Sequence, residues 1–197
     1  MADQLCTPAD LASAIQQDLD ASTATLWVEV GTAVVQEAAG QRIVQVVGDT
    51  FELTGTTDSW LDLPQIPVTA VTSVTLDGGV LSAGSPGGSR EAYRLKGNRL
   101  WRGCGWQTYC GEPSDVIVVC THGYAAGAQE LQLARGAVIG LAQAAYSNPA
   151  GGAVAREQID DYAVAYEAMA AALEASPYLK AALRRQYGRR AGLVRIG

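Results

Sequence analysis

Acidic residues are absent from the end of this chain, and basic residues are sparse before it. No Asp or Glu follows Glu174, while six of the 14 Lys and Arg (Lys180, Arg184, Arg185, Arg189, Arg190 and Arg195) fall in the last twenty of 197 residues. Residues 1–177 therefore carry 8 basic and 20 acidic side chains, a charge of −12, and residues 178–197 carry +6. An acidic body repels both the phosphate backbone of DNA and an anionic lipid surface. Also missing is any apolar run near the ~20 residues needed to span a bilayer. The opening stretch MADQLCTPAD has no basic region before an apolar one, so it is not read as an export signal. On that reading the four irregularly spaced cysteines (Cys6, Cys104, Cys110, Cys120) are expected as reduced thiols in a cytoplasm.

Histidine occurs once, at His122, and that limits the chemistry. A cysteine nucleophile with His122 as its base would have to use Cys120. Two residues apart in a strand, the two side chains lie side by side on one face, with no third orienting group evident. The bland reading is a junction residue whose ring caps the sheet or bonds backbone. Cys104 and Cys110 are six apart, outside the Cys-x₂₋₄-Cys spacing of zinc sites and without a second ligand pair, so neither a metal nor a bridge is expected there. Gly84–Gly88 lacks the Gly-Lys-Ser/Thr ending of a phosphate loop. The paired acids Asp160-Asp161 and Asp18/Asp20 suit solvated helix faces. No enzyme activity and no cofactor is expected.

Present instead are three blocks of different texture. Thr7-Pro8-Ala9-Asp10 offers an N-cap, a proline at the first helical position and an acid three residues after the cap. Leu11, Ile15 and Leu19 then repeat along one helical face. After Asp20–Ser22 a second helix carries Leu26, Val30, Ala33 and Val34. Its off-stripe Trp27, Val28 and Val35 imply cover on several sides, and Gly40 ends it. Residues 41–123 hold short β-branched runs, at Ile43–Val47, Phe51–Leu53, Val68–Leu76, Tyr93–Leu95, Leu100–Trp101 and Val116–Thr121. Gly48-Asp49, Asp77-Gly78-Gly79, Gly84–Gly88 and Gly97-Asn98 are read as the turns between them. Six strands in so short a segment predict a small antiparallel sheet or sandwich.

Helix resumes after Tyr124, with Leu131, Ala134, Val138, Leu141 and Ala145 as its stripe and Ala137, Gly140 and Ala144 flanking it for close helix approach. Beyond the break at Asn148–Gly152, the positions Ile159, Tyr162, Tyr166, Met169 and Leu173 fit a helix. Tyr162, Val164 and Tyr166 also alternate as a strand would, so residues 158–166 fit either state. Ser176-Pro177 starts a last helix with Leu179, Leu183 and Tyr187 on one face, and Gly188 stops it. The fold class expected is α+β: a helical bundle of residues 1–40 and 124–175, an inserted antiparallel β module of 41–123, and a basic C-terminal docking arm of 176–197.

Taken in order, "TPADLASAIQ", "WLDLPQIPVTAVTSVTLDG", "GNRLWRGCGW", "VIVVCTHGYA", "REQIDDYAVAY" and "LKAALRRQYGRRAGLVRIG" resemble the head-to-tail adaptor (connector) proteins of long-tailed bacteriophages over nearly the whole chain. The departure is "IDDYAVAY", where the family pattern has a Gly-Asp-Tyr-Ser-Val-like stretch. The resemblance implies a structural protein of the virion neck, assembled in the host bacterial cytoplasm. It implies a homo-oligomeric ring, commonly of twelve copies, that joins the portal protein to the next neck or tail-terminator ring. DNA would pass through its channel without sequence-specific binding, and no membrane is involved. The docking residues expected in the arm are Lys180, Arg184, Arg185, Arg189, Arg190, Leu193, Val194, Arg195 and Ile196. Leu193, Val194 and Ile196 suit a strand added to a partner's sheet edge. The competing readings are another neck or tail-completion protein, or a DNA-binding protein using the basic tail.

Overall fold

The computed structural model describes residues 4–16, 20–109, 111–147 and 160–188. These divide into two compact units, one drawn from Met1–Val44 and Tyr124–Gly197 and the other from Gln45–Gly123. The class is α+β, with helices in the first unit and two antiparallel sheets in the second.

The helical unit begins with α1, Pro8–Ile15. Its start is fixed locally: Asp10 N donates to Thr7 Oγ1 at 3.1 Å and Thr7 N donates to Asp10 Oδ2 at 3.0 Å, a reciprocal capping box. Arg135, on a later helix, adds a 2.9 Å bond to the same carboxylate. Leu11 is fully buried and Ile15 half-buried, whereas Leu19 lies outside the described residues. Helix α2, Ala21–Ala39, is capped by Asp20 and ended by Gly40 at φ +74°. Of the off-stripe residues Val28 and Val35 are inaccessible and Trp27 is half-buried, so α2 is covered on several sides.

A short 3₁₀ turn, Gln129–Leu131, leads into α3, Gln132–Ser147, and all five expected stripe residues from Leu131 to Ala145 are buried. The flanking expectation is corrected. Gly140 and Ala144 are exposed, and only Ala137 is buried. Close approach is provided by Gly31 of α2, where a Cβ would sit 2.8 Å from Val138 Cγ1 and 3.4 Å from Met169 Sδ. Helix α4, Asp160–Glu174, resolves residues 160–166 as helix. Ala165, Met169 and Leu173 face the core, and alternation of Tyr162, Val164 and Tyr166 is overridden by that 3.6-residue face. Helix α5, Pro177–Tyr187, buries Leu183 and Tyr187 in the same core.

The β unit holds, among the described residues, seven strands: β1 (Val46–Gly55), β2 (Trp60–Asp62), β3 (Val68–Leu76), β4 (Gly79–Val80), β5 (Tyr93–Lys96), β6 (Arg99–Arg102) and β7 (Ser114–His122). They form a four-stranded sheet, β1-β7-β3-β4, and a three-stranded sheet, β2-β6-β5, which share one apolar core around Trp106, Leu100, Val74 and Val118. Two sequence readings change. Gly48-Asp49 is not a turn between two strands. At φ +71° Gly48 forms a bulge inside a single β1, shifting its register on β7 between Val46 and Asp49. Ile43 belongs to the helical core, fully buried, with its N–H bonded to Gln36 Oε1 at 3.1 Å. The Asp77-Gly78 turn is as expected, with φ +47° and +81° joining Leu76 to Gly79. At the helical unit's end of this excursion, Val44 bridges Tyr124 and Tyr124 N donates to Ile43 O at 2.9 Å.

Candidate functional site

The basic C-terminal segment starts on a firmly held helix. Ser176-Pro177 opens α5 with proline at the first turn, and the i, i+4, i+8 spacing of Leu179, Leu183 and Tyr187 gives it one apolar face. Leu183 and Tyr187 are inaccessible to solvent, and burying side chains of this size stabilises by about 1.5–3 kcal/mol each. The Tyr187 hydroxyl donates to Glu130 O and accepts from Ala134 N at 3.3 Å. The Gln186 amide donates to Glu130 O at 3.1 Å, and the Gln41 amide donates to Tyr187 O. The rings of Tyr124 and Tyr187 meet edge-on with centroids 6.1 Å apart. Burial pushes the Tyr187 phenol above its ordinary pKa, so it remains a neutral donor.

The expected docking residues separate into two groups on this scaffold. Lys180 pairs with Glu174, and Arg184 Nε donates to Ala38 O at 3.3 Å, so both hold α5 in its own unit. Arg185 is exposed. Arg189, Arg190, Leu193, Val194, Arg195 and Ile196 lie outside the described residues. What the structure brings together is thus the root of the arm, pinned within one turn of Gly188.

His122 has a partner that sequence reasoning missed. At the end of β7 its ring is fully buried, with Nε2 2.9 Å from Asp49 Oδ2 and the Phe51 ring 5.6 Å away between centroids. The carboxylate arrives from the β1 bulge, 73 residues earlier, and no local spacing could have exposed it. The arrangement orients an imidazole but does not activate a thiol. Cys120 lies on the same buried face of β7, and its pKa is raised by burial and then by the Asp49 charge. A thiolate, the reactive form, is therefore disfavoured. Cys6 is held in the same way, pushed up to about 11 by burial and by Asp10. Cys104 is exposed and unbridged, while Cys110 lies outside the described residues. Among the described residues no group of His, Cys, Asp or Glu is arranged to hold a metal ion, and no helix is long and apolar enough to cross a membrane.

No family model matches this sequence, and no curated protein does. Solved structures match its fold, among them two chains of gene transfer agent (GTA) particles. One is a chain in the neck of an empty GTA particle computed with C6 symmetry, 18% identical, with a TM-score of 0.53 over 97% of this chain and 94% of that one. The other is a chain in the virion of a native gene transfer agent (GTA) particle, 21% identical, with a TM-score of 0.50 over 95% and 91% of the two chains. The likeness spans both units.

Proposed function

We propose that this chain is a structural subunit of the neck of a phage-like particle, and within that neck the head-to-tail adaptor. The observation that carries the reading is end-to-end similarity of fold to a chain from such a neck, covering 97% of this chain and 94% of that one. A likeness confined to one unit would have left the other free for a different task. The ordered sequence motifs point the same way. So does the disposition of charge: an acidic body lets DNA slide through a channel, because phosphate neutralisation is what makes DNA binding tight. Twelve copies in a ring are compatible with the sixfold symmetry of that neck.

In this reading the tail is a docking arm for the portal ring. Helix α5 anchors it through Leu183 and Tyr187. Beyond Gly188, the aliphatic residues Leu193, Val194 and Ile196 add to an exposed sheet edge of the partner. Arg189, Arg190 and Arg195 meet carboxylates and set register and on-rate more than affinity. One arm binds modestly, and repetition around a ring multiplies the effect. A nucleic-acid tail would have no need of three aliphatic residues at its end.

The test is a chain ending at Gly188. It is expected to fold, with α5 retained, and to fail to co-sediment with portal protein. Wild-type affinity of that truncated chain for portal would overturn the docking role. Capture of a tail-terminator ring instead of portal would assign the chain to another neck or tail-completion position. Retention of the full chain on DNA at about 150 mM salt, lost on truncation, would favour the DNA-binding alternative.

A further inference from the structure

The β unit is electrically two-faced. All five of its cations lie between residues 90 and 102: Arg90, Arg94, Lys96, Arg99 and Arg102. The strands of the four-stranded sheet contain no Lys or Arg at all. In the three-stranded sheet, cross-strand register pairs Trp60 with Trp101 and Trp101 with Arg94, and Lys96 with Arg99. These five side chains share the face opposite Leu61 and Leu100, which are buried in the core. The Arg94 guanidinium lies over the Trp101 ring at 4.3 Å, Arg99 lies over Trp60 at 5.1 Å, and the Lys96 amine is 5.9 Å from both. Trp60 is 37% exposed, and the only acid on this face, Asp62, pairs with Arg99 at 2.5 Å. Arg94 Nε is buried without a hydrogen-bond partner.

The outer face of the four-stranded sheet is the complement. Glu52 of β1 is opposite Ile117 of β7, and Thr54 is opposite Asp115. Ile117 is 39% exposed, between the two acids Glu52 and Asp115, and Thr50, Val119, Ser73, Thr75 and the exposed Val80 share this face, which carries no cation. We infer that the Trp60/Trp101 cation face of one copy docks on the Glu52/Ile117/Asp115 face of a second copy of this chain. An arginine stacked on an indole keeps its N–H edges for a carboxylate, and the tryptophans supply rigid apolar area around Ile117. Two different faces in contact make a head-to-tail interface, the kind that closes into a ring. Single-stranded nucleic acid is the weaker occupant. Base stacking needs uncovered aromatic faces, and here the cations already cover them.

The experiment uses the full chain and reads self-association by sedimentation equilibrium, with circular dichroism to verify folding. Wild type is expected to associate, less so as salt rises. Arg94→Glu with Arg99→Glu should weaken association by about a hundredfold or more, because like charges then face each other. Lys96→Glu, whose amine holds no ion pair among the described residues, is the second variant and should act in the same direction. Adding Glu52→Arg and Asp115→Arg to the doubly reversed chain should restore association, which a merely misfolded variant would not do. A wild type that stays monomeric, reversal without effect, or no recovery in the combined chain would overturn the interface. Loss of DNA retention with association unchanged would also overturn it and give the face to nucleic acid. Portal capture through the C-terminal arm is a separate readout, so failure here leaves that reading standing, and the reverse also holds.

Discussion

The core of the helical unit mixes alanines and Gly31 with larger aliphatic side chains, whereas the cluster between the two sheets holds no alanine and has Trp106 buried in it. The buried positions of the helical core include Ala134, Ala137, Ala142, Ala145 and Ala165, and at Gly31 the helices approach until a single Cβ would collide with Val138. Between the two sheets Trp106, Leu100 and Leu63 are inaccessible beside Val74, Val116, Val118 and Cys120, and Tyr93 is 6% exposed. The difference follows from geometry. Helix axes pack about 8–10 Å apart depending on the side chains between them, and short ones allow the closest approach, whereas sheets about 10 Å apart leave a slab that accommodates an indole. Gly31 is therefore a point where the helical unit resists added volume, and Trp106 one where the β unit resists lost volume.

That contrast can be broken by experiment, starting with the largest effect. Trp106 is fully buried, and its Nε1 donates to Ser59 O at 3.2 Å. Trp106→Ala should cost about 3–5 kcal/mol in the β unit. Trp60, Trp101 and Trp106 lie in that unit and Trp27 in α2, so in a Trp27→Phe background indole fluorescence during urea unfolding reports the β unit, and far-ultraviolet dichroism reports the helices. A shift below about 1 kcal/mol would mean that the slab collapses easily and the contrast is wrong. Gly31→Leu should cost about 1–3 kcal/mol in the helical unit by overpacking, partly recovered when Val138→Ala is added. Leucine has the better helix propensity, so a stabilised variant would show that the helices have room.

The smallest effect concerns pH. The hydrogen bonds from Thr7, and then the Arg135 guanidinium, hold the Asp10 carboxyl below its ordinary value of 3.8. Its folded pKa is depressed, so its contribution is complete above the ordinary value and is lost as pH falls below it. In the Trp27→Phe background, Asp10→Asn should flatten the acid limb of helical melting while leaving the fluorescence transition unmoved. An unchanged acid limb would mean that the capping box is dispensable.

What the sequence showed and concealed follows the same physical line. The Thr7–Asp10 capping box, the Asp77-Gly78 turn and the Leu131–Ala145 stripe are local, set by residues within a few positions of one another, and each stands where it was expected. The amphipathic face of α5 was legible for the same reason. Gly31 was not, because a glycine in a helix reads as a propensity defect until its neighbour across the interface is known. Asp49 reaches His122 only through a bulge that looked like a turn. The division into two sheets needed the short β2 strand, three residues with too little pattern to register. Of the arm, the root was readable from periodicity, but that Lys180 and Arg184 bind groups of their own unit depends on Glu174 and Ala38 being brought against α5.

The clasp between Ile43-Val44 and Tyr124 has a consequence for how such a chain can change. Since the helical unit closes on itself there, everything from Gln45 to Gly123 is topologically a loop whose ends are already joined. Lengthening a loop costs only about 0.6 kcal/mol per doubling, so the helices scarcely sense how much chain leaves and returns at that point. The position is a graft site. A different cassette could be spliced between residues 44 and 124 with α1 through α5 unaltered, which would let one helical chassis keep its anchored tail while its surface is rewritten.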